Sequence, residues 1–275
     1  MRDKKEMSDM TDSEISYRKS GKYNITVNNV LTGFFNTERL NQLNEEIAKK
    51  FNIGFIYKTS FDKANRTSHK GKRGAGLEKS LPVFDKIKKD INVPVLTDIH
   101  NEKHCEIVSK HVDILQIPAF LARQTDLIVA AAKTSKIVNI KKGQFMNSSS
   151  MKFAVEKVKN SGNNKIMVTE RGNTFGYQDL VVDFRGIPKM KEFSPVILDV
   201  THSLQQPNQS EGVTGGNPEL IETIAKAGIA AGVDGLFIET HPSPSNAKSD
   251  GKNMLDLNKL ENLLINLLKI KSAIS

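Results

Sequence analysis

The segment Ile53-Gly54-Phe55-Ile56-Tyr57-Lys58-Thr59-Ser60-Phe61-Asp62-Lys63-Ala64-Asn65-Arg66-Thr67-Ser68 changes character once, at Lys58. Up to Tyr57 it is an apolar run of strand length, which reads as a buried strand. From Lys58 it becomes a loop dense in cations and hydroxyls, with a carboxylate and an amide among them. Cations neutralise phosphate, and Asn, Ser and Thr hydrogen-bond sugar hydroxyls, so the loop suits a phosphorylated polyol. A solvated basic loop has the same composition. An amphipathic stretch, Leu77–Lys89, follows and reads as a helix.

This strand, loop and helix unit recurs along the chain. The strand candidates are Tyr23–Val27, Phe55–Tyr57, Val95–Thr97, Ile114–Ile117, Val138–Ile140, Ile166–Val168, Val196–Val200 and Gly235–Ile238. Helices are expected over Thr37–Phe51, Leu77–Lys89, Lys103–Lys110, Thr125–Lys133, Met151–Asn160, Pro218–Ala231 and Leu257–Lys271, with a weaker one over Leu180–Phe184. In the first of these, Leu40, Leu43, Ile47 and Phe51 share a face. Continuous apolar runs suit strands buried on both faces, as parallel strands are. Eight units in about 250 residues predict an α/β chain folded as a (β/α)8 TIM barrel. Residues 23–275 form that single domain, after a polar N-terminal tail over 1–22.

Active sites of such barrels lie at the C-terminal strand ends. The residues there are Lys58, Asp98, Gln116, Lys141, Arg171, His202 and Glu239, all of them polar. Lys58, Lys141 and Arg171 come from three strands that would converge, which suits an anionic ligand.

Lys58–Ser68 resembles the KxSFDKANRSS segment of the 3-deoxy-D-manno-octulosonate-8-phosphate synthase family, also called 2-dehydro-3-deoxyphosphooctonate aldolase. The resemblance continues through Gln116–Asp126, Asn139–Phe145, Glu170–Gly172, Phe175–Tyr177, Asp199–His202 and Phe237–Pro242. It implies condensation of phosphoenolpyruvate (PEP) with D-arabinose 5-phosphate and water, a transferase step of lipopolysaccharide (Kdo) biosynthesis. It also implies residue roles. Lys141 and Arg171 meet the PEP phosphate, Lys63 lies near the carboxylate and the sugar, and Gln116 and the Ala119 backbone position PEP. Asn65, Arg66 and Thr67 bind arabinose 5-phosphate, partly across a subunit contact, which implies a homo-oligomer, a tetramer by resemblance. Lys58, Ser60, Asp98 and Gln144 complete the substrate-binding set. His202, Glu239 and Asp250 are the water-positioning and acid/base candidates.

The family has a metal-dependent kind with Cys, His, Glu and Asp ligands, and a metal-free kind with Asn in place of Cys. His202, Glu239 and Asp250 match three ligands. The only cysteine, Cys105, stands far from the first strand in a helix, where a half-buried thiol is expected. Ungapped counting puts Asn29 at the Cys/Asn position, and a gapped alternative puts Asn36 there. Either is Asn, a poor ligand beside a thiolate, so catalysis without metal is expected, with a residual divalent site at His202, Glu239 and Asp250 as the alternative. This region lacks the glycine-containing turn of the family, and Thr32-Gly33 replaces Glu-Ser. Leu204–Pro207 with Gly212–Gly216 reads as a mobile lid beside His202.

The net charge of +9 admits anionic substrates or nucleic acid, but there is no Trp and no aromatic-basic stripe, and no nucleic-acid partner is expected. One cysteine excludes an intrachain disulfide. No apolar run reaches the roughly eighteen residues of a membrane span and no signal peptide precedes the barrel, so a cytoplasmic, membrane-free protein is expected. Two alternatives stay open: a heptulosonate-phosphate synthase using erythrose 4-phosphate, and a divergent, inactive barrel that binds sugar phosphates.

Overall fold

The computed structural model describes residues 24–28, 46, 48–66, 69, 73–176, 179–207, 214–247 and 251–274. Its centre is eight parallel strands: β1 (Asn24–Asn28), β2 (Gly54–Lys58), β3 (Val95–Asp98), β4 (Ile114–Ile117), β5 (Ile137–Lys141), β6 (Ile166–Glu170), β7 (Val196–Asp199) and β8 (Gly235–His241). Each pairs with the next, and β8 returns to β1, with Asn24 opposite Gly235 and Asn28 opposite Glu239. The ring closes, so the expected (β/α)8 barrel is the fold.

The described helices are α1 (Leu77–Ile91), α2 (Glu102–Val108), α3 (Thr125–Lys133), α4 (Met151–Asn160), α5 (Gly186–Lys191), α6 (Ile221–Ala230) and α7 (Leu257–Ile274). They form the outer layer. Helix α1 shows why they hold. Ser80, Phe84, Ile87 and Ile91 fall on one face at spacings of three and four and are buried. It stops at Asn92, whose left-handed backbone (φ 57°) lets its N–H return to the Lys88 carbonyl. Truncating Phe84 to Ala would cost about 3–5 kcal/mol.

Two expectations need correction or restriction. No helix forms over Leu180–Phe184. Asp179–Val181 instead pairs antiparallel with Asn173–Phe175, because Leu180 is buried between exposed neighbours, a period of two. The helix of this unit starts at Gly186, where Ile187 and Met190, three apart, are buried. The helix expected over Thr37–Phe51 lies mostly outside the described residues, but residues 46 and 48–50 are helical. The tail over 1–22 also lies outside them.

Inside the ring, Ile56, Leu96, Ile114, Ile137, Met167, Ile197 and Phe237 form one apolar cluster, a residue from each of seven strands. Their neighbours Tyr57, Val95, Leu115, Val138, Val168, Leu198 and Leu236 belong to the cluster packed under the helices. Strand side chains alternate, so residues two or four positions beyond an inner-cluster residue also face inward. That rule takes the interior from apolar at the bottom to polar at the top: Lys58, Asp98, Gln116, Asn139, Lys141, Thr169, Arg171, Asp199 and Glu239. No described helix is long and apolar enough to cross a membrane.

Candidate active site

A belt of hydrogen bonds crosses the upper interior from β6 to β2. Thr169 Oγ1 donates to Asn139 Oδ1 at 2.9 Å, and Asn139 Nδ2 to Gln116 Oε1 at 2.8 Å. Gln116 Nε2 donates to Asp98 Oδ1 at 2.6 Å. Asp98 Oδ2 accepts from Ser60 Oγ at 2.5 Å and lies 2.9 Å from the Lys58 ammonium. Every member is buried. Burial by itself pushes the Asp98 carboxyl up. The charges of Lys58 and His100, with the Ser60 and Gln116 hydrogen bonds, outweigh it and hold the group far below the ordinary carboxylate range.

Asp199 organises the opposite side of the mouth. Its Oδ2 meets Lys141 Nζ at 2.5 Å and His202 Nδ1 at 2.9 Å. Its Oδ1 accepts from the backbone of Thr201 and His202 and from Thr201 Oγ1. Burial raises its carboxyl, but His202 and Lys141 more than reverse that and set it well below the usual value. With Nδ1 given to Asp199, His202 turns Nε2 to Glu239 Oε2 at 3.3 Å.

Phe237 forms the floor between the two groups. Its ring lies 4.5 Å below Lys141 Nζ and 5.6 Å from Lys58 Nζ, close enough for cation–π attraction to both. Burial lowers the Lys141 ammonium below the ordinary lysine value despite Asp199, and the nearby charges of Arg171 and Lys58 act in the same direction. Three cations thus share one dry mouth, a costly arrangement that an anion would relieve. Arg171 leaves β6 and reaches across to Gln205 Oε1 at 2.6 Å and the His202 carbonyl at 3.2 Å. Gln205 begins a two-residue ladder, Gln205–Gln206 against Gly215–Gly216, at the base of the expected lid. Residues 208–213 of that lid lie outside the described residues.

The remaining sequence candidates sit on the rim. Asp62 is clamped by Arg73 through two hydrogen bonds, one of them at 2.7 Å, and the Lys63 N–H donates to the Arg73 carbonyl. Lys63 and Arg66 are half-buried and Asn65 is exposed. Ala119 lies in a short helical turn, Ala119–Leu121, against the loop after β5. A Cβ on Gly143 would lie 2.8 Å from the Phe145 ring and 3.1 Å from the Ala119 carbonyl, so a side chain here would crowd both. Gln144 is half-buried behind Gly143. Asn29, its alternative Asn36, Thr67 and Asp250 lie outside the described residues.

Sequence reasoning passed over Asp199, Asn139, Thr169 and Phe237. All four have the inward parity of Ile197, Ile137, Met167 and Gly235, and that signal would have found them.

Of the three expected metal ligands, His202 and Glu239 face each other at 3.3 Å and Asp250 lies outside the described residues, and among the described residues there is no group of three or more His, Cys, Asp or Glu that could hold an ion. Cys105, expected to be half-buried, is fully buried on the inner side of α2 because its helix faces the barrel wall. Burial pushes its thiol up to about 12.

A family model described as the DAHP synthetase I family matches residues 35–275. A 2-dehydro-3-deoxyphosphooctonate aldolase of Chelativorans sp. (strain BNC1) is 56% identical over 225 residues, 82% of each chain. Proteins of the same name from Brucella ovis and Koribacter versatilis are 54% and 51% identical, over 82% and 83% of this chain and 81% and 84% of theirs.

Proposed function

The chain belongs to the DAHP synthetase I family, and from that premise we propose that it is an enzyme that condenses PEP with D-arabinose 5-phosphate and water. The products are 3-deoxy-D-manno-octulosonate 8-phosphate and inorganic phosphate. The observation that carries this is the convergence of Lys58, Lys141 and Arg171 on one buried mouth beside a histidine held between two carboxylates. The names of its relatives point to the same product class.

In this account the cations hold the PEP phosphate and carboxylate. The PEP methylene carbon attacks the sugar aldehyde, whose oxygen takes up a proton. Water adds to the former vinyl carbon, where positive charge has developed, and gives up a proton. Phosphate then leaves the tetrahedral intermediate. His202, fixed by Asp199, and Glu239 are the groups that position the water and move protons. The rim residues Lys63, Asn65 and Arg66, with Thr67, bind the sugar phosphate, and Gln144 and Ala119 border the PEP end.

We further propose that no metal takes part, with Asn29 (or Asn36) at the position where the other kind of relative has a cysteine ligand. The burial of Cys105 in α2, away from the mouth, supports this. An oligomer, a tetramer by resemblance, completes the account. Phe120, Phe145, Phe153 and Phe175, each 55–67% exposed on the fourth to sixth units, support it as apolar surface for a second copy to cover.

The family model's name points to the heptulosonate-phosphate branch instead. Comparing kcat/KM for arabinose 5-phosphate and erythrose 4-phosphate separates the two. A preference for the five-carbon sugar is expected, and a preference for erythrose 4-phosphate would refute this assignment.

A further inference from the structure

We propose that Lys142 and Glu170 are positioning residues for PEP: an ion pair buried behind the barrel wall that locks the loop after β5 to the turn after β6, and so sets Arg171 and Gln144 at the mouth. This rests on the assignment of Arg171 and Lys141 to PEP.

Lys142 follows Lys141 and Glu170 precedes Arg171, so both have the outward parity, away from the mouth. Both are almost wholly buried, Lys142 at 0% exposure and Glu170 at 1%. Burial holds the Lys142 ammonium below the ordinary lysine value although Glu170 pulls it up. The ammonium is surrounded by oxygens: Asn173 Oδ1 at 2.7 Å, the carbonyls of Met146 and Gly172 at 3.2 and 3.3 Å, and Glu170 Oε1 at 3.3 Å. Glu170 Oε1 also accepts the backbone N–H of Arg171 at 2.9 Å and of Gly172 at 2.7 Å. One carboxylate oxygen therefore orients the peptides on either side of the Arg171 Cα. Gly172, at φ 86°, allows the reversal that follows.

The lacing continues on both sides. Asn173 Nδ2 donates to the Met146 carbonyl at 2.6 Å, and the Thr174 N–H to the Gln144 carbonyl at 3.0 Å. Residues 142–146 and 170–174 are thus laced together, with the ammonium at the centre. If stability were all that mattered, two apolar side chains of similar volume would fill the space at less cost in desolvation. An apolar pair could not direct the Arg171 peptide. Gln144, in the same laced segment, keeps a buried Oε1 that no donor among the described residues reaches, as a group reserved for a ligand would.

The test compares the wild-type protein with Glu170→Gln and Asn173→Ala. PEP binding is measured by calorimetry, KM by steady-state kinetics for both substrates, and folding by thermal melting. A positioning role predicts PEP bound roughly tenfold more weakly by each variant, as for other residues that orient a binding group from behind. The arabinose 5-phosphate KM should stay within about twofold. Asn173 is only half-buried, so its variant decides the matter if Glu170→Gln does not fold. Folded variants that bind PEP like the wild type, or that lose both substrates equally, would overturn the proposal. A wild-type protein that does not bind PEP would remove the assignment of Arg171 and Lys141, and this inference with it.

Discussion

Lys141 and Asp199 meet at 2.5 Å, Nζ to Oδ2, although their strands, β5 and β7, do not pair. The contact passes over β6 across the barrel mouth, and the same carboxylate oxygen takes the His202 ring at 2.9 Å. The group proposed to bind the anion and the group proposed to move protons therefore share one anchor.

Replacing that anchor should damage both functions. Asp199→Asn should lower kcat roughly a hundredfold or more, because the histidine loses the acceptor that fixes its orientation. Asp199 also raises the ammonium pKa of Lys141, which burial has lowered. PEP affinity should accordingly fall on the alkaline side before the ordinary lysine value of 10.5, and the Asn variant should shift that fall to lower pH. Calorimetric PEP titrations from neutral to alkaline pH check the direction.

Acid should unfold the barrel through the same carboxylates. Asp98 and Asp199 titrate in the folded state far below their ordinary value of 3.8. Their stabilisation is complete above that value and is lost as the pH falls from it through the folded values. Melting temperature should drop steeply below about pH 4. Asp98→Asn should start lower at neutral pH and flatten the curve. An unchanged slope would assign acid sensitivity to other groups.

Arg171 should not tolerate lysine. Its guanidinium reaches Gln205 and the His202 carbonyl with one nitrogen, Nη2, and a planar fork suits phosphate in a way a point charge does not. Arg171→Lys should raise the PEP KM by roughly tenfold or more while leaving the melting temperature nearly unchanged.

Cys105 should be chemically silent. Its thiol is buried and pushed up to about 12, so a thiol reagent at pH 8 should label it only after unfolding, and Cys105→Ala should keep its kcat. Inactivation of the folded enzyme by the reagent would place this thiol in the chemistry.

Much of this architecture was legible in the residue order, for physical reasons. Parallel strands buried on both faces leave unbroken apolar runs, and those runs marked the barrel from Phe55 onward. Their last residues are polar because the mouth is built there, which exposed Lys58, Asp98, Gln116 and Glu239. Asp199 escaped because it sits inside the run Val196–Val200, where a carboxylate looks like an interruption of the strand. Lys142 and Glu170 escaped because outward positions are expected to be apolar, and only the fold shows an ammonium and a carboxylate meeting there. The unit after β6 misled because Leu180, Val181, Val182 and Phe184 mimic a helix face, whereas the local burial alternates.

The central claim is a synthase that works without metal. Its most direct test is phosphate release from PEP, measured with and without arabinose 5-phosphate, in excess chelator and again with added manganese. The account predicts sugar-dependent release at the same rate in both. Release that needs manganese would contradict the metal-free mechanism, and no release from a folded protein would contradict the synthase itself.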